Sequence, residues 1–185
     1  MKIHLLLFFL FPLFVCSQSS SLNFGTNNTL DIVTWNLEWF PKNGNITIDS
    51  LKSIIEKIDA DVYALQEIDN IGSFNVLKNQ LLGYSGLLKN TSNLNLAFLY
   101  KTSITVDSAY SILDDYDYVF SGITPFVIDL NFNGMNISLF NNHFKCCGDG
   151  TLNTGDSSDE EYRRLQAMNY LKNSIDYNNS SIACL

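Results

Sequence analysis

The sequence predicts a mixed α/β domain: at minimum a sheet with helices on one side, and in the larger interpretation two face-to-face sheets between helix layers. Three observations indicate this fold class. Strand-like and helix-like segments alternate over residues 31–82, strand follows strand over residues 84–143, and helical spacing returns from residue 157. With 185 residues, 46% of them hydrophobic and 13% aromatic, the chain can bury one sizeable core.

The first residues have the pattern of an export signal. A short basic head, 1–4, precedes an apolar run, 5–15, and small residues follow at the cleavage positions near Ser17. The run is too short to span a bilayer, which takes about 20 residues. We therefore expect a signal peptide at 1–17, a flexible Ser- and Asn-rich segment at 18–29, and a secreted protein (extracellular or periplasmic) with no stable membrane association after processing.

The first part of the fold is predicted as strand, helix, strand, helix. β-Branched and aromatic residues make "LDIVTWNLEWF" a strand, which the Pro- and Gly-containing residues 41–45 end. In "TIDSLKSIIEKIDA" apolar residues recur at helical spacing, with Thr47 or Asp49 available as the N-cap. The run "DVYALQEI" predicts a short strand and "SFNVLKNQLL" a second helix. The apolar positions of the first helix are Leu51, Ile54, Ile55 and Ile58.

The second part is predicted as consecutive strands, a helix and a last strand. The strands are "YSGLLK", "LNLAFLYK", "ITVDSAYSIL", "PFVIDLNF" and "NISLFNNHF", and Asn133-Gly134 between the last two is a strong hairpin signal. A Gly- and Asp-rich loop leads to the longest helix, which opens with a Ser158-to-Glu161 capping box, and "SSIACL" forms the final strand. The predicted buried face of that helix is Tyr162, Leu165, Met168, Leu171 and Ile175.

Charge and cysteine content limit the possible functions. The formal net charge of −8 excludes a broad basic surface for nucleic acid or anionic membrane, so a polyanionic substrate would have to be held locally by a bound cation. A zinc site is not expected, because the chain has no C-x-x-C pair. Cys146 and Cys147 are adjacent, and a bond between neighbours is strained, so pairing of one of them with Cys184 or with a cysteine outside this sequence stays open.

Three predicted strands end in a polar residue at the point where the apolar run stops. Alternation places Asn36 on a face with Ile32 and Thr34, Glu67 on a face with Tyr63 and Leu65, and His143 on a face with Leu139 and Asn141. If the three strand exits coincide, one sheet edge carries an amide, a carboxylate and an imidazole. Carboxylate and amide oxygens suit Mg²⁺, and a histidine can contact phosphate or move a proton. Each residue taken alone has an ordinary structural explanation, as a turn cap or a solvated strand end.

The same segments also resemble a known family. "VTWNLEWF", "DADVYALQEID", "LNLAFLYK" and "NNHFKCCGDG", followed by "RRLQA", are similar in type and order to the motifs of the endonuclease/exonuclease/phosphatase family of deoxyribonuclease-like phosphohydrolases. The resemblance implies a two-sheet α/β sandwich of the deoxyribonuclease-like type and a Mg²⁺- or Mn²⁺-dependent attack of water on a phosphoester. It makes Glu67 and Asn36 the expected metal-site residues and His143 the expected catalytic residue at the scissile phosphate.

Two departures from the family pattern set further expectations. Ile123 stands where family members often carry an arginine, so one phosphate contact is expected to be absent. The sequence also has no Gly-Asp-x-Asn motif and no closing Asp-His pair, which in the family position and activate the attacking water. "SSIACL" resembles the strand that leads into that motif, so we expect residues 30–185 to be the N-terminal two-thirds of the domain, with a fold incomplete at the C-terminus. Arg163 and Arg164 are expected in surface salt bridges rather than in the site.

The function expected from these features is divalent-metal-dependent hydrolysis of phosphodiester bonds, with nucleic acid as the substrate of a secreted endonuclease. This chain would lack the C-terminal catalytic motifs. Two alternatives stay open: a non-catalytic secreted binding domain that retains the fold, and a phosphatase of phospholipids or inositol phosphates. The substrate-binding residues are not readable from the sequence.

Overall fold

The computed structural model describes residues 25, 26, 28–91, 93–178 and 181–184. The expected signal peptide lies outside the described residues, as does most of the segment 18–29. Within the described part, two four-stranded sheets pack face to face, and helices cover their outer faces. None of the described helices is long and apolar enough to cross a membrane.

The first sheet carries strands in the order β1-β2-β4-β3. β1 and β2 run parallel because helix α1 connects them, whereas β4 pairs antiparallel with both β2 and β3. Helix α2 follows β2 and leads into β3. The bounds are β1 Ile32–Phe40, α1 Asn45–Ile58, β2 Val62–Ile68, α2 Ile71–Gln80, β3 Tyr84–Lys89 and β4 Asn95–Lys101.

The second sheet has the order β5-β6-β7-β8. β5, β6 and β7 are antiparallel neighbours, and β8 pairs parallel with β7 after helix α3. The hairpin predicted at Asn133-Gly134 is confirmed: the φ angles of 51° and 81° are the left-handed pair of a type I′ turn. The bounds are β5 Thr105–Ser111, a 3-10 turn Asp114–Tyr116, β6 Phe126–Phe132, β7 Met135–Asn141, α3 Glu160–Asn178 and β8 Ser181–Cys184.

Three apolar layers hold the sandwich together. Between the sheets, Val62, Ala64 and Phe98 of the first sheet pack with Ile128 and Leu139 of the second. On the outer face of the first sheet, α1 and α2 contribute Ile55, Phe74 and Leu77 against Tyr63 and Leu65. On the outer face of the second sheet, Leu171 of α3 packs on Val127 and Phe140. The two-sheet sandwich between helix layers, the larger of the two predicted folds, is therefore confirmed.

The predicted caps of α1 and α3 are wrong. α1 begins at Asn45 after Gly44, and Thr47 instead accepts a hydrogen bond from the Asn43 N–H at 3.0 Å. At α3 the carboxylate of Asp159, one residue after Ser158, accepts from the Tyr162 N–H at 2.7 Å.

The predicted buried face of α3 is wrong at two positions. Leu165 and Met168 are 39% and 58% exposed, while Ala167 and Leu171 are buried. The small side chain of Ala167 sits in the stripe that contacts the sheet, and a pattern search for large apolar residues overlooks it.

Candidate active site

The exits of β1, β2 and β7 meet at one edge of the sandwich, held by a buried amide pair that links the two sheets. Gln66 donates from Nε2 to Asn141 Oδ1 at 2.7 Å, and Asn141 Nδ2 donates to the carbonyl oxygens of Leu65 and Ala97, both at 3.0 Å. Gln66 is 5% exposed and Asn141 0%. Because both side chains are buried, these bonds fix the end of β7, and with it His143, against the end of β2.

The backbone of Glu67 leaves the extended conformation. Its φ is 59°, in the left-handed region. Asn36 pairs with Gln66 and Phe40 with Ile68, so residues 37–39 of β1 lie opposite the single residue Glu67, which makes a β-bulge. The alternation that would place Glu67 on the helix-covered face with Tyr63 and Leu65 is interrupted there. That face assignment is therefore wrong, and the carboxylate meets Asn36 instead.

The other side of the bulge is equally unusual. Glu38 and Trp39 have φ angles of 47° and 62°, and a left-handed non-glycine residue costs of order 1–3 kcal/mol. Hydrogen bonds on both sides hold this shape: Asn36 Oδ1 accepts from the Glu38 N–H at 2.9 Å, and the Phe40 carbonyl accepts from the N–H groups of Asp69 and Asn70 at 3.0 and 3.1 Å. Trp39 is left 55% exposed beside the site.

The structure brings the three predicted site residues together around one carboxylate. Asn36 Nδ2 donates to Glu67 Oε1 at 2.8 Å, and His143 Nε2 lies 3.5 Å from the same oxygen. The side chains of Glu67 and His143 are 14% and 20% exposed, so each can reach a ligand at the edge while most of it is shielded. The prediction that these strand exits coincide is confirmed. The chemical role of each residue stays a prediction.

The second oxygen of Glu67 is the feature of this site that most needs a partner. Oε2 is buried and accepts no hydrogen bond from any residue that the structure describes. A buried carboxylate oxygen without a donor is costly, and a hard cation is the kind of partner that satisfies it. Within the described part of the chain no group of three or more His, Cys, Asp or Glu side chains could hold a metal ion. The carboxylate of Glu67 and the amide oxygen of Asn36 are oxygen donors of the kind that Mg²⁺ uses, and Mg²⁺ is commonly bound through one or two carboxylates while it keeps several waters.

Lys89 at the end of β3 lies along the same edge of the first sheet, and sequence reasoning did not single it out. Its ammonium donates to the carbonyl and hydroxyl of Thr124 and lies 3.3 Å from Asp114. Burial lowers the pKa of Lys89, and the attraction of Asp114 offsets this only in part.

Ile123, the residue before Thr124 in the chain, is buried in the layer between the sheets and offers no polar group to a phosphate.

The two α3 arginines lie outside the site, as expected, but only one forms the predicted salt bridge. Arg164 Nη2 donates to Glu161 Oε1 at 2.9 Å. Arg163 instead covers the ring of Tyr118, 4.3 Å from its centroid, and donates to Ser121 Oγ at 2.9 Å. Arg163 therefore holds the loop before β6.

Comparison with known proteins gives one family and several similar folds. A family model described as "Endonuclease/Exonuclease/phosphatase family" matches residues 33–178. No curated protein sequence matches the chain at a significant level. Among solved structures, D. rerio TDP2 complexed with single strand DNA product has a TM-score of 0.69 and 15% identity, over 84% of this chain and 58% of that chain.

Two further structures show the same fold. An endonuclease/exonuclease/phosphatase family protein from Leptotrichia buccalis C-1013-b has a TM-score of 0.55 and 17% identity, over 77% of this chain and 61% of that chain. Beta toxin from Staphylococcus aureus has a TM-score of 0.59 and 14% identity, over 84% of this chain and 65% of that chain. The chain thus spans 58–65% of the length of these three proteins.

Proposed function

We propose, since this chain belongs to the endonuclease/exonuclease/phosphatase family, that Asn36, Glu67 and His143 form the metal- and phosphate-binding part of a divalent-metal-dependent phosphodiesterase. The observation that carries the proposal is the buried Oε2 of Glu67, which has no hydrogen-bond donor among the described residues. It lies at an edge where an amide and an imidazole converge on the same carboxylate.

Each residue then has a distinct task. Glu67 would hold Mg²⁺ or Mn²⁺ through its second oxygen, and Asn36 orients that carboxylate and has a remaining lone pair on Oδ1 for the ion. The ion, when bound, would polarise a phosphoryl oxygen and neutralise charge on the substrate. His143 Nε2, 3.5 Å from Glu67 Oε1, would donate to a phosphate oxygen or transfer a proton at the scissile bond.

Nucleic acid is the substrate that we propose. The related fold of D. rerio TDP2 was solved with a single strand DNA product, which supports this substrate class. The net charge of −8 gives the protein surface no general attraction for a polyanion, so the ion and His143 would have to hold the phosphate locally. Because the chain spans about three-fifths of its structural relatives, the activity is proposed for the protein that contains this chain. Export by the N-terminal residues would place that activity outside the cytoplasm.

Cation binding is the first test. Glu67→Gln keeps the shape of the side chain and removes its charge, and we expect Mn²⁺ affinity, measured by calorimetry, to fall by more than the about 10–100-fold that loss of an outer-sphere partner costs. The matched control is Glu56→Gln, on an exposed carboxylate of α1 that only pairs with Lys52. The control should bind Mn²⁺ like the wild type. Equal affinity in all three proteins would contradict a metal site at Glu67.

Cleavage is the second test. A single-stranded oligonucleotide, a duplex and an inositol phosphate are incubated with the protein that contains this chain, in Mg²⁺ and in excess chelator. We expect cleavage of the oligonucleotide in Mg²⁺ only, and its loss in Glu67→Gln. Equal cleavage in chelator would contradict the metal mechanism, whereas turnover of the inositol phosphate alone would replace the substrate class. Mn²⁺ binding without any turnover would support the non-catalytic alternative.

A further inference from the structure

Two adjacent cysteines lie in the loop that follows β7. Cys146 and Cys147 are both exposed and both free thiols, and their Sγ atoms are 3.1 Å apart. A disulfide needs the two sulfurs at about 2.05 Å, so the pair would have to close by about 1 Å and accept the strain of a bond between neighbouring residues. The pair belongs to neither the Glu67 site nor a packed layer, and this arrangement has no evident structural role.

One side chain of α3 fixes the backbone on both sides of the two sulfurs. Arg164 Nη1 donates to the carbonyl oxygen of Lys145 at 2.9 Å and to that of Cys147 at 2.8 Å. The planar guanidinium is itself held by Glu161. Because the carbonyls that flank the pair share one donor, the two cysteines keep their relative position without any bond between them.

The next residues turn the chain back towards α3. Cys147 has a φ of 69°, and the Gly150 N–H donates to Glu161 Oε1 at 2.8 Å. Gly148 makes this possible, because a Cβ there would lie 2.3 Å from the same carboxylate oxygen. The loop is therefore pinned on either side, and the two thiols project from its turn into solvent.

We propose that Cys146 and Cys147 form a reversible redox-modification site. On reaction with a low-molecular-weight disulfide, their two sulfurs form a disulfide bond with each other, which closes a small ring. In the first step the thiolate of one cysteine attacks oxidised glutathione; the glutathione S–S bond breaks, a mixed disulfide forms and one reduced glutathione leaves. In the second step the other cysteine loses its proton and attacks the protein sulfur of the mixed disulfide, which releases the second reduced glutathione. The protein loses two protons and two electrons, and glutathione gains them.

Tryptic mapping tests this directly, because cleavage after Lys145 and after Arg163 isolates both cysteines in one peptide that holds no other. The folded protein is incubated with oxidised glutathione, acid-quenched, alkylated and digested without reductant. We expect the peptide 146–163 to lose both alkyl adducts and to weigh about 2 Da less than the reduced peptide, because it has lost two hydrogens. Dithiothreitol should restore both adducts.

Three results would overturn the proposal: a peptide joined to the one that holds Cys184, a dimer of the 146–163 peptide, or a stable glutathione adduct in place of the ring. Cys146→Ser and Cys147→Ser are matched controls that should stop at the glutathione adduct.

Arg164→Lys tests the positioning of the pair. Lysine keeps the charge but lacks the planar guanidinium that donates to both carbonyls, so we expect the mixed disulfide to accumulate before ring closure in this variant. If Arg164→Lys, shown to be folded by circular dichroism, closes as fast as the wild type, the pre-positioning by Arg164 is wrong.

Discussion

The two ends of the first sheet differ in how completely their buried polar groups are hydrogen-bonded. At the end where β1 and β2 begin, the Tyr63 hydroxyl accepts from the Ala60 N–H and donates to the Ile55 carbonyl, both at 3.0 Å. Asp61 accepts from the Asp31 N–H at 2.9 Å and pairs with Lys101 at 3.3 Å. Every one of these groups has a partner supplied by the chain itself.

The end where the same strands stop has a polar atom without a hydrogen-bond partner and several residues with left-handed backbone. Glu67 Oε2 has no donor among the described residues, Trp39 is half exposed, and Glu38, Trp39 and Glu67 all have left-handed backbones. Such conformations persist only where neighbouring structure enforces them, and they are concentrated where ligands bind. The comparison shows that one sheet can pair its polar groups at one end and leave a buried carboxylate oxygen without a described donor at the other.

The largest expected effect comes from removing the buried amide pair, Gln66 and Asn141, that links the two sheets near the site. Asn141→Ala would leave the carbonyls of Leu65 and Ala97 without the buried amide that donates to them, while Gln66 Nε2 would keep its bonds to Thr34 and Ala64. Each orphaned group costs about 1–3 kcal/mol, so we expect the free energy of unfolding to fall by about 3–5 kcal/mol. Chemical denaturation measures the loss. Asn136→Ala is the control on the same strand: its exposed amide bonds only to Asn131 and should cost less than about 0.5 kcal/mol. Similar losses of stability in both variants would mean that the Gln66–Asn141 pair does not hold the sheets together.

A smaller effect is expected at the satisfied end, and it depends on pH. Burial raises the pKa of Tyr63 above its ordinary 10.0 and does the same for Tyr84, whose ring packs edge-on against it at 5.9 Å. Below pH 10 both phenols are protonated whether the chain is folded or not. Above it the unfolded chain releases protons that the native state retains, so the free energy of unfolding should fall as the pH rises past 10.

Tyr63→Phe separates the two contributions of this hydroxyl. At about pH 8 the variant should be less stable by about 1–2 kcal/mol, because Ala60 and Ile55 lose a buried partner. Denaturation repeated at about pH 11 should show a smaller gap to the wild type, since one of the two raised tyrosines is gone. The control is Tyr177→Phe, which is 88% exposed and should leave both measurements unchanged. An unchanged gap at high pH would show that Tyr63 does not titrate differently on folding.

The elements and the meeting of the site residues were predictable, because both follow from local patterns. Asn36, Glu67 and His143 stand where the apolar runs of three segments stop, β1 and β2 in the first sheet and β7 in the second, and the Asn133-Gly134 turn fixes its own hairpin. The bend at Glu67 was not predictable, since alternation assumes an extended backbone at every position. Nor was the bond from Gln66 to Asn141, which joins residues 75 apart across two sheets and has no local signal.

The smallest expected effect tests whether the site end stores backbone strain at all. Glu38 has a φ of 47° and a side chain that is 71% exposed, so its ion pair with Lys42 is worth little. Glu38→Ala and Glu38→Gly both remove that pair and differ only in the Cβ. A left-handed alanine costs roughly 1–2 kcal/mol, against about 0.5–1 kcal/mol of extra chain entropy lost by glycine, so the glycine variant should be the more stable by up to about 1 kcal/mol. At Ala109, an exposed residue of β5 in ordinary extended backbone, the order should reverse, and Ala109→Gly should cost about 0.5–1 kcal/mol. Urea denaturation of the four proteins decides the matter: if glycine destabilises equally at both positions, Glu38 carries no strain and the contrast between the two ends rests on Trp39 and Glu67.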